Sequence, residues 1–283
     1  MDNTAVDNPL ANAPIKSVGE DAWAYVREHW WIPAVTGVVV VLGLVFGSFL
    51  QIPQFFFIAI AVAFAMGAYA YTQARARFMH QIADALGFTY EATGSMDAVA
   101  GDLFGFGHGQ AITNVLSGVH GDLPLRIYNY QTTVGSGKNS HTYPYTVFEV
   151  TYTYDLPHLL MLVKENFFSL NAQGYISFSD GAELKLEGDF GKSFTVYAQT
   201  HLELEALEVF TPDVMLQLAE RAKKTSFESR DHKLYVFEDK TFSTKEDLSA
   251  MYDVALLLMS ILTPHFRQTS GSTLAMEQQM NKN

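Results

Sequence analysis

The chain contains no cysteine. Disulfides, thiolate metal sites and a cysteine nucleophile are therefore excluded, and the compartment must be read from topology rather than from redox state. Positive charge is scarce as well: 18 Lys and Arg stand against 30 Asp and Glu, a net charge of −12. Nucleic acid demands clustered Lys and Arg to displace its counterions, so no nucleic-acid partner is expected. The same deficit argues against peripheral docking on anionic lipid.

The strongest absence is local. From Ile32 to Thr72 there is no Asp, Glu, Lys, Arg or His. This stretch is broken only by Gln51-Ile52-Pro53-Gln54, leaving apolar runs at 32–50 and 55–71 of 19 and 17 residues. At about 1.5 Å per residue each spans roughly 26–29 Å, close to a ~30 Å hydrocarbon core. Backbone groups in lipid must bond within their own segment, so each run is expected to be a helix. The link is too short for anything but a hairpin, and Pro53 interrupts a single continuous helix. Residues 1–31 carry Asp7, Glu20, Asp21 and Glu28 without a short apolar core, unlike a signal peptide.

Both free ends of the hairpin then lie on one side. Trp30 and Trp31 precede the first run, and Tyr69 and Tyr71 end the second, as interfacial aromatics do. Arg27, Arg75 and Arg77 flank the same end, whereas the turn has no Lys or Arg. The positive-inside rule places both termini in the cytoplasm. Gly43 and Gly47 form a GxxxG, and Ala59, Ala63 and Gly67 a second row of small residues. Folded back about Ile52 the two rows lie opposite one another, packing the hairpin on itself or pairing two copies.

Upstream, Ser17-Val18-Gly19-Glu20 fits a capping box, and Val18, Ala22, Val26 and Trp30 repeat every four residues. Residues 18–31 are therefore expected to be an amphipathic helix lying at the membrane interface. Residues 1–17 are expected to be disordered. Downstream, the second membrane helix is expected to run on through Gln73–Leu86, with Gly87 as its C-cap. Strand patterns follow at Ala111–Val119, Leu123–Gln131, Tyr145–Tyr154, Leu159–Lys164, Tyr175–Phe178, Glu183–Leu186, Phe194–Tyr197 and Lys233–Glu238. Thr132–Pro144 reads as a hairpin loop. Pro212–Lys223 reads as a helix capped by Thr211. A last helix opens at Thr244-Lys-Glu-Asp247, and its apolar run Val254–Leu262 is too short for a third span and suits a core helix. Residues 268–283 read as a loose tail. The expected fold is α+β: a transmembrane hairpin (32–72) followed by a cytoplasmic domain (73–267) with a mainly antiparallel sheet.

The segments that resemble chemical motifs do not hold up as such. Gly188-Asp-Phe-Gly191-Lys192-Ser193 has two residues where a phosphate loop needs four, so it reads as a hairpin turn. Gly105-Phe-Gly107-His-Gly109 neither follows a clear strand nor opens a helix. Ser117, His120 and Asp122 share one hairpin, whereas a triad is assembled in space. His201, Glu205 and Glu208 fit a solvated acidic face better than a metal site, and no HExxH occurs. Phe167, Phe168, Tyr175 and Phe178 suit a lipid or ligand pocket, but equally a core. No catalytic, cofactor-binding or metal-binding residue is assigned, and no cofactor is expected.

Leu156-Pro157-His158, Leu186-Glu-Gly-Asp-Phe190 with Lys192, Phe194, Val196 and Tyr197, Thr211-Pro-Asp-Val-Met215 and Leu234-Tyr-Val236 carry a resemblance. Over roughly residues 30–265 the chain resembles uncharacterised two-helix membrane proteins of Saccharibacteria-like bacteria, and is similar to a broader bacterial domain of unknown function. The resemblance implies a bacterial inner membrane and brings no activity or site residues. The expected function is a membrane-tethered, non-enzymatic binding module. Its partners would be the bilayer and either a protein or a second copy through Gly43 and Gly47. The alternatives are a lipid or small-ligand binding domain, and a hydrolase built around His108, His120 or His201.

Overall fold

In the computed structural model, residues 8–49, 54–164, 176, 178, 181–186 and 188–280 are described; beyond Pro264 the only side chain described is Phe266. Helix α1 spans Val18–Glu28, α2 Trp31–Phe49 and α3 Gln54–Leu86. The capping box of α1 is formed, with Ser17 and Glu20 bonding each other's backbone. Among the described residues three helices are long and apolar enough to cross a membrane: α2, α3 and Lys245–Pro264 of the last helix. They differ in surroundings. The most apolar stretches of α2 and α3 are each 11% buried, against 56% for the last helix. The first two therefore present bare apolar surface suited to lipid, and the third spends its side chains on the core.

Helix α3 is unbroken for 33 residues, about 50 Å. Its second half enters the domain, burying Ala74, Phe78, Met79, Ile82 and Ala83. Helices α1 and α2 run antiparallel to it in equal steps. Asp21 meets Gln81, Tyr25 meets Arg77, Ile32 clusters with Ala70, and Gly43 packs on Ala59. A Cβ on Gly43 would lie 2.6 Å from Ala59 Cβ, so that glycine allows close approach of the two helices within one chain. One side of α1, with Val18, Asp21 and Tyr25, thus packs on α3 and the domain, while Trp23 and Trp30 stay exposed. An amphipathic stripe does not say whether lipid or protein covers it, and here protein covers its first part while Trp30 is left open.

Residues 8–17 also depart from expectation. Leu10 is fully buried, Asn8 Nδ2 donates to Ser249 and Asp253 at 2.9 Å, and Lys245 holds the carbonyls of Ala11 and Ala13. A single leucine with a core socket orders a segment whose composition reads as loose. Residues 1–7 lie outside the described part.

The domain is a seven-stranded, wholly antiparallel sheet: β1 Thr89–Gly94, β2 His108–His120, β3 Leu123–Val134, β4 His141–Val163, β5 Gly181–Leu184, β6 Phe194–Gln199 and β7 Ser226–Glu238. The long β4 is the spine. Its first half pairs β3, its second half pairs β6, and β7 follows it along both. The expected break between Tyr154 and Leu159 is instead a pair of register shifts, at Thr151/Leu156 and Leu156/Leu159, which absorb Pro157 without ending the strand. Asp231 on β7 takes a positive φ of 53° at the same bend. The ribbon turns so far that Thr225, just before β7, donates to Glu238 at its far end (2.8 Å).

Short helices α4 (Phe190–Ser193), α5 (Glu203–Val209) and α6 (Pro212–Arg221) connect β5, β6 and β7, and α7 spans Lys245–Met280. Thr211 caps α6, with Pro212 in its first turn, and Thr244 Oγ1 accepts from Asp247 N–H at the start of α7. Helix α7 continues past Gln268, where a loose tail is expected from the polar sequence. One face of the sheet packs on α3 and α7 in the larger core, with Phe148 and Tyr152 against Tyr252 and Phe266. The other face carries a second core of Leu103, Phe104, Phe106, Tyr128, Tyr130 and Tyr235 among others, where the segment between β1 and β2 folds over the strands. The expected strand at Tyr175–Phe178 lies mostly outside the described residues.

Candidate functional site

The second core is closed by charged groups. Gly101 opens a single 3-10 turn, Asp102–Phe104. The fully buried Glu228 carboxylate on β7 accepts the first N–H groups of that turn: Asp102 N at 2.6 Å on Oε1 and Leu103 N at 3.1 Å on Oε2. Gly101 has φ 139°, and a Cβ there would fall 2.8–3.0 Å from that carboxylate, so only glycine fits the approach. Tyr235 OH accepts from Ala100 N at 3.0 Å, fixing the preceding residue.

His158, buried just past the β4 bend, brings Nε2 to 3.2 Å from Glu228 Oε1 and 3.5 Å from Asp102 Oδ2. The other oxygen of Asp102 accepts from Arg230 at 3.2 Å. Phe178 covers the imidazole with ring centroids 4.3 Å apart. Among the described residues, Asp102, His158 and Glu228 are the three His, Asp or Glu side chains close enough to share a metal ion, all ligand atoms lying within 4.8 Å. They come from the β1–β2 loop and from both strands of the bent ribbon, just past the bend.

A second buried carboxylate shows what full ionic pairing looks like. Glu149 on β4 accepts from Arg126 at 3.2 and 3.3 Å, from Lys233 at 2.9 Å and from Tyr128 OH at 3.0 Å. Burial and the neighbouring Glu149 charge push the Tyr128 phenol well up from its ordinary value. Two cations balance that one carboxylate. At the Glu228 cluster two carboxylates converge on one imidazole beside one guanidinium.

The residues that the sequence singles out are dispersed. His108 and His120 sit at opposite ends of β2: His108 bonds the Gly135 carbonyl at 2.8 Å and His120 bonds Tyr252 OH at 3.0 Å. His201 is exposed in the turn before α5, with φ 79°. Ser117 is a ladder residue of β2, paired with Arg126. Gly188–Ser193 is the connection of the β5–β6 hairpin, containing α4. Gly107 packs against Thr132 and Thr133, and Gln110 ties down the carbonyls of Phe104 and Phe106, so the Gly-rich stretch is a fastened loop. Phe178 flanks His158, whereas Phe167, Phe168 and Tyr175 lie outside the described residues. Asp102, His158 and Glu228 were missed by sequence reasoning because 56 and 70 residues separate them, with no motif spacing.

No family model matches the chain, and no curated protein matches it. Among solved structures it is similar to the crystal structure of the mycobacterial trehalose monomycolate transport factor A, TtfA, with 12% identity and a TM-score of 0.48, over 66% of this chain and 94% of that one. A likeness of that size identifies neither a family nor a function.

Proposed function

We propose that the chain is a membrane-tethered binding module of a bacterial inner membrane, with both termini and the α+β domain on the cytoplasmic side, engaging a protein partner without chemistry of its own. The observation that carries this reading is the unbroken α3. Its apolar first half is suited to lipid, and its second half is part of the domain core, with α1 packed alongside. Such a connection sets a binding surface at a fixed height and angle to the bilayer, which suits capture of a neighbour in the same membrane better than turnover of a diffusing substrate. Arg77, paired with Glu28 at 2.9 Å, and Arg75, bonded to Asn129, stand just past the apolar run, at the end expected to face the cytoplasm.

The absence of cysteine makes the test clean. In intact spheroplasts an impermeant maleimide should label Gln54→Cys in the hairpin turn and spare Ser136→Cys in the β3–β4 turn. Labelling of Ser136→Cys before the membrane is opened would reverse the topology. Affinity isolation from detergent extracts should recover one stoichiometric protein partner, and repeated recovery of the chain alone would sink the binding reading.

A further inference from the structure

We propose that Asp102 Oδ2, His158 Nε2 and Glu228 Oε1 form a binding site for a zinc-class divalent cation, which fastens the Gly101–Phe104 turn to both strands of the bent β4–β7 ribbon. Ligand atoms around a tetrahedral ion with bonds of about 2.0–2.1 Å lie about 3.3 Å apart. The imidazole nitrogen stands 3.2 Å from one carboxylate oxygen and 3.5 Å from the other, close to two edges of such a tetrahedron, and all three ligand atoms lie within 4.8 Å of one another.

Each carboxylate is already oriented from behind. Arg230 holds Asp102 Oδ1, and the Leu103 N–H holds Glu228 Oε2, leaving the remaining oxygens aimed at the imidazole. Hydrogen bonds of this kind fix first ligands and are a regular companion of metal sites. Glu228 Oε1 also accepts the Asp102 N–H, and its second lone pair remains for an ion.

Charge points the same way. His158 and Glu228 are buried, and the Asp102 side chain is 10% exposed. Two carboxylates lie against this imidazole with one guanidinium beside them, and acidic groups gathered this closely are held together well by a cation. A divalent cation at that point serves both. One nitrogen and two oxygens suit zinc or cobalt(II) better than calcium, which takes oxygen alone. Three protein ligands leave a fourth position for water.

The test uses the full chain in detergent, stripped with a chelator and titrated with Co2+ alone. The expected result is visible absorption of the tetrahedral type that saturates at one equivalent and is displaced by Zn2+. Zn2+ at about a hundredfold over its Kd should raise the thermal midpoint by about 5–10 °C. Asp102→Asn and His158→Gln should each lose both signals, while Asp155→Asn, at the exposed Asp155–His232 pair, should keep them. Wild-type protein showing neither band nor shift overturns the proposal. A band that survives in both site variants, or disappears with Asp155→Asn, places the ion elsewhere and overturns it equally.

Discussion

Glu238 ends β7 on the α7 side of the sheet, and burial raises its carboxyl above the ordinary value despite the Thr225 hydroxyl donated to it. A carboxyl whose folded pKa is raised binds its proton more tightly in the folded state. The stability it lends is present below its unfolded pKa and is lost as pH rises through the folded one. Glu238→Gln keeps the acceptor for Thr225 and removes the titration. Thermal midpoints measured upward from about pH 4.5 should therefore fall less in the variant than in the wild type. Glu149 is the opposite case. Glu149→Ala strands Arg126, Lys233 and the Tyr128 hydroxyl, and denaturant titration should show a loss of about 3–5 kcal/mol. Neither role was legible in the sequence. Glu149 lies in a strand whose alternation is plain, but the cations it meets sit on the two flanking strands, 23 residues before it and 84 after. The Asp102–His158–Glu228 cluster was hidden for a related reason. A bend in β4 changes which side of the strand faces the second core, and nothing in the alternation of Tyr145–Tyr154 announces the shift.

Elements were read more successfully where the physics is local. Caps at Ser17, Thr211 and Thr244, the apolar runs of α2 and α3, and the hairpins β2–β3 and β5–β6 all depend on residues within a few positions of each other. Partners from far away produced the misreadings. One side of α1 is taken up by α3, Leu10 is taken up by the core, and β7 begins seven residues before its evident alternation at Lys233 because β4 lies beside it. The two membrane helices allow a direct test of packing. Gly43 has no room for a side chain, whereas nothing lies within 4 Å of a Cβ added to Gly67. Gly43→Val should lower the resistance of the hairpin to unfolding in mixed detergent by about 1–3 kcal/mol, and Gly67→Val should change it by less than about 0.5 kcal/mol. Equal effects at the two positions would mean that Gly67 is covered by a second copy.

At the scale of the molecule, the α+β class and the hairpin followed from composition and periodicity, while the coiling of the β4–β7 ribbon did not, because strand curvature arises from pairing across long sequence distances. The joint between hairpin and domain has no loop. Spin labels at Gln54→Cys and Ser136→Cys should give a narrow distance distribution in lipid nanodiscs. Two glycines inserted between Tyr71 and Thr72 should broaden it, and a broad distribution in the unaltered chain would contradict the single-helix joint. The matched stepping of α1 and α2 against α3 has a mechanical outcome. A span longer than the surrounding hydrocarbon is accommodated by tilting, kinking or local thickening of the lipid. With no hinge in α3, any such tilt would be passed to the sheet. The tilt of the span in lipid would therefore set the bearing of the whole domain.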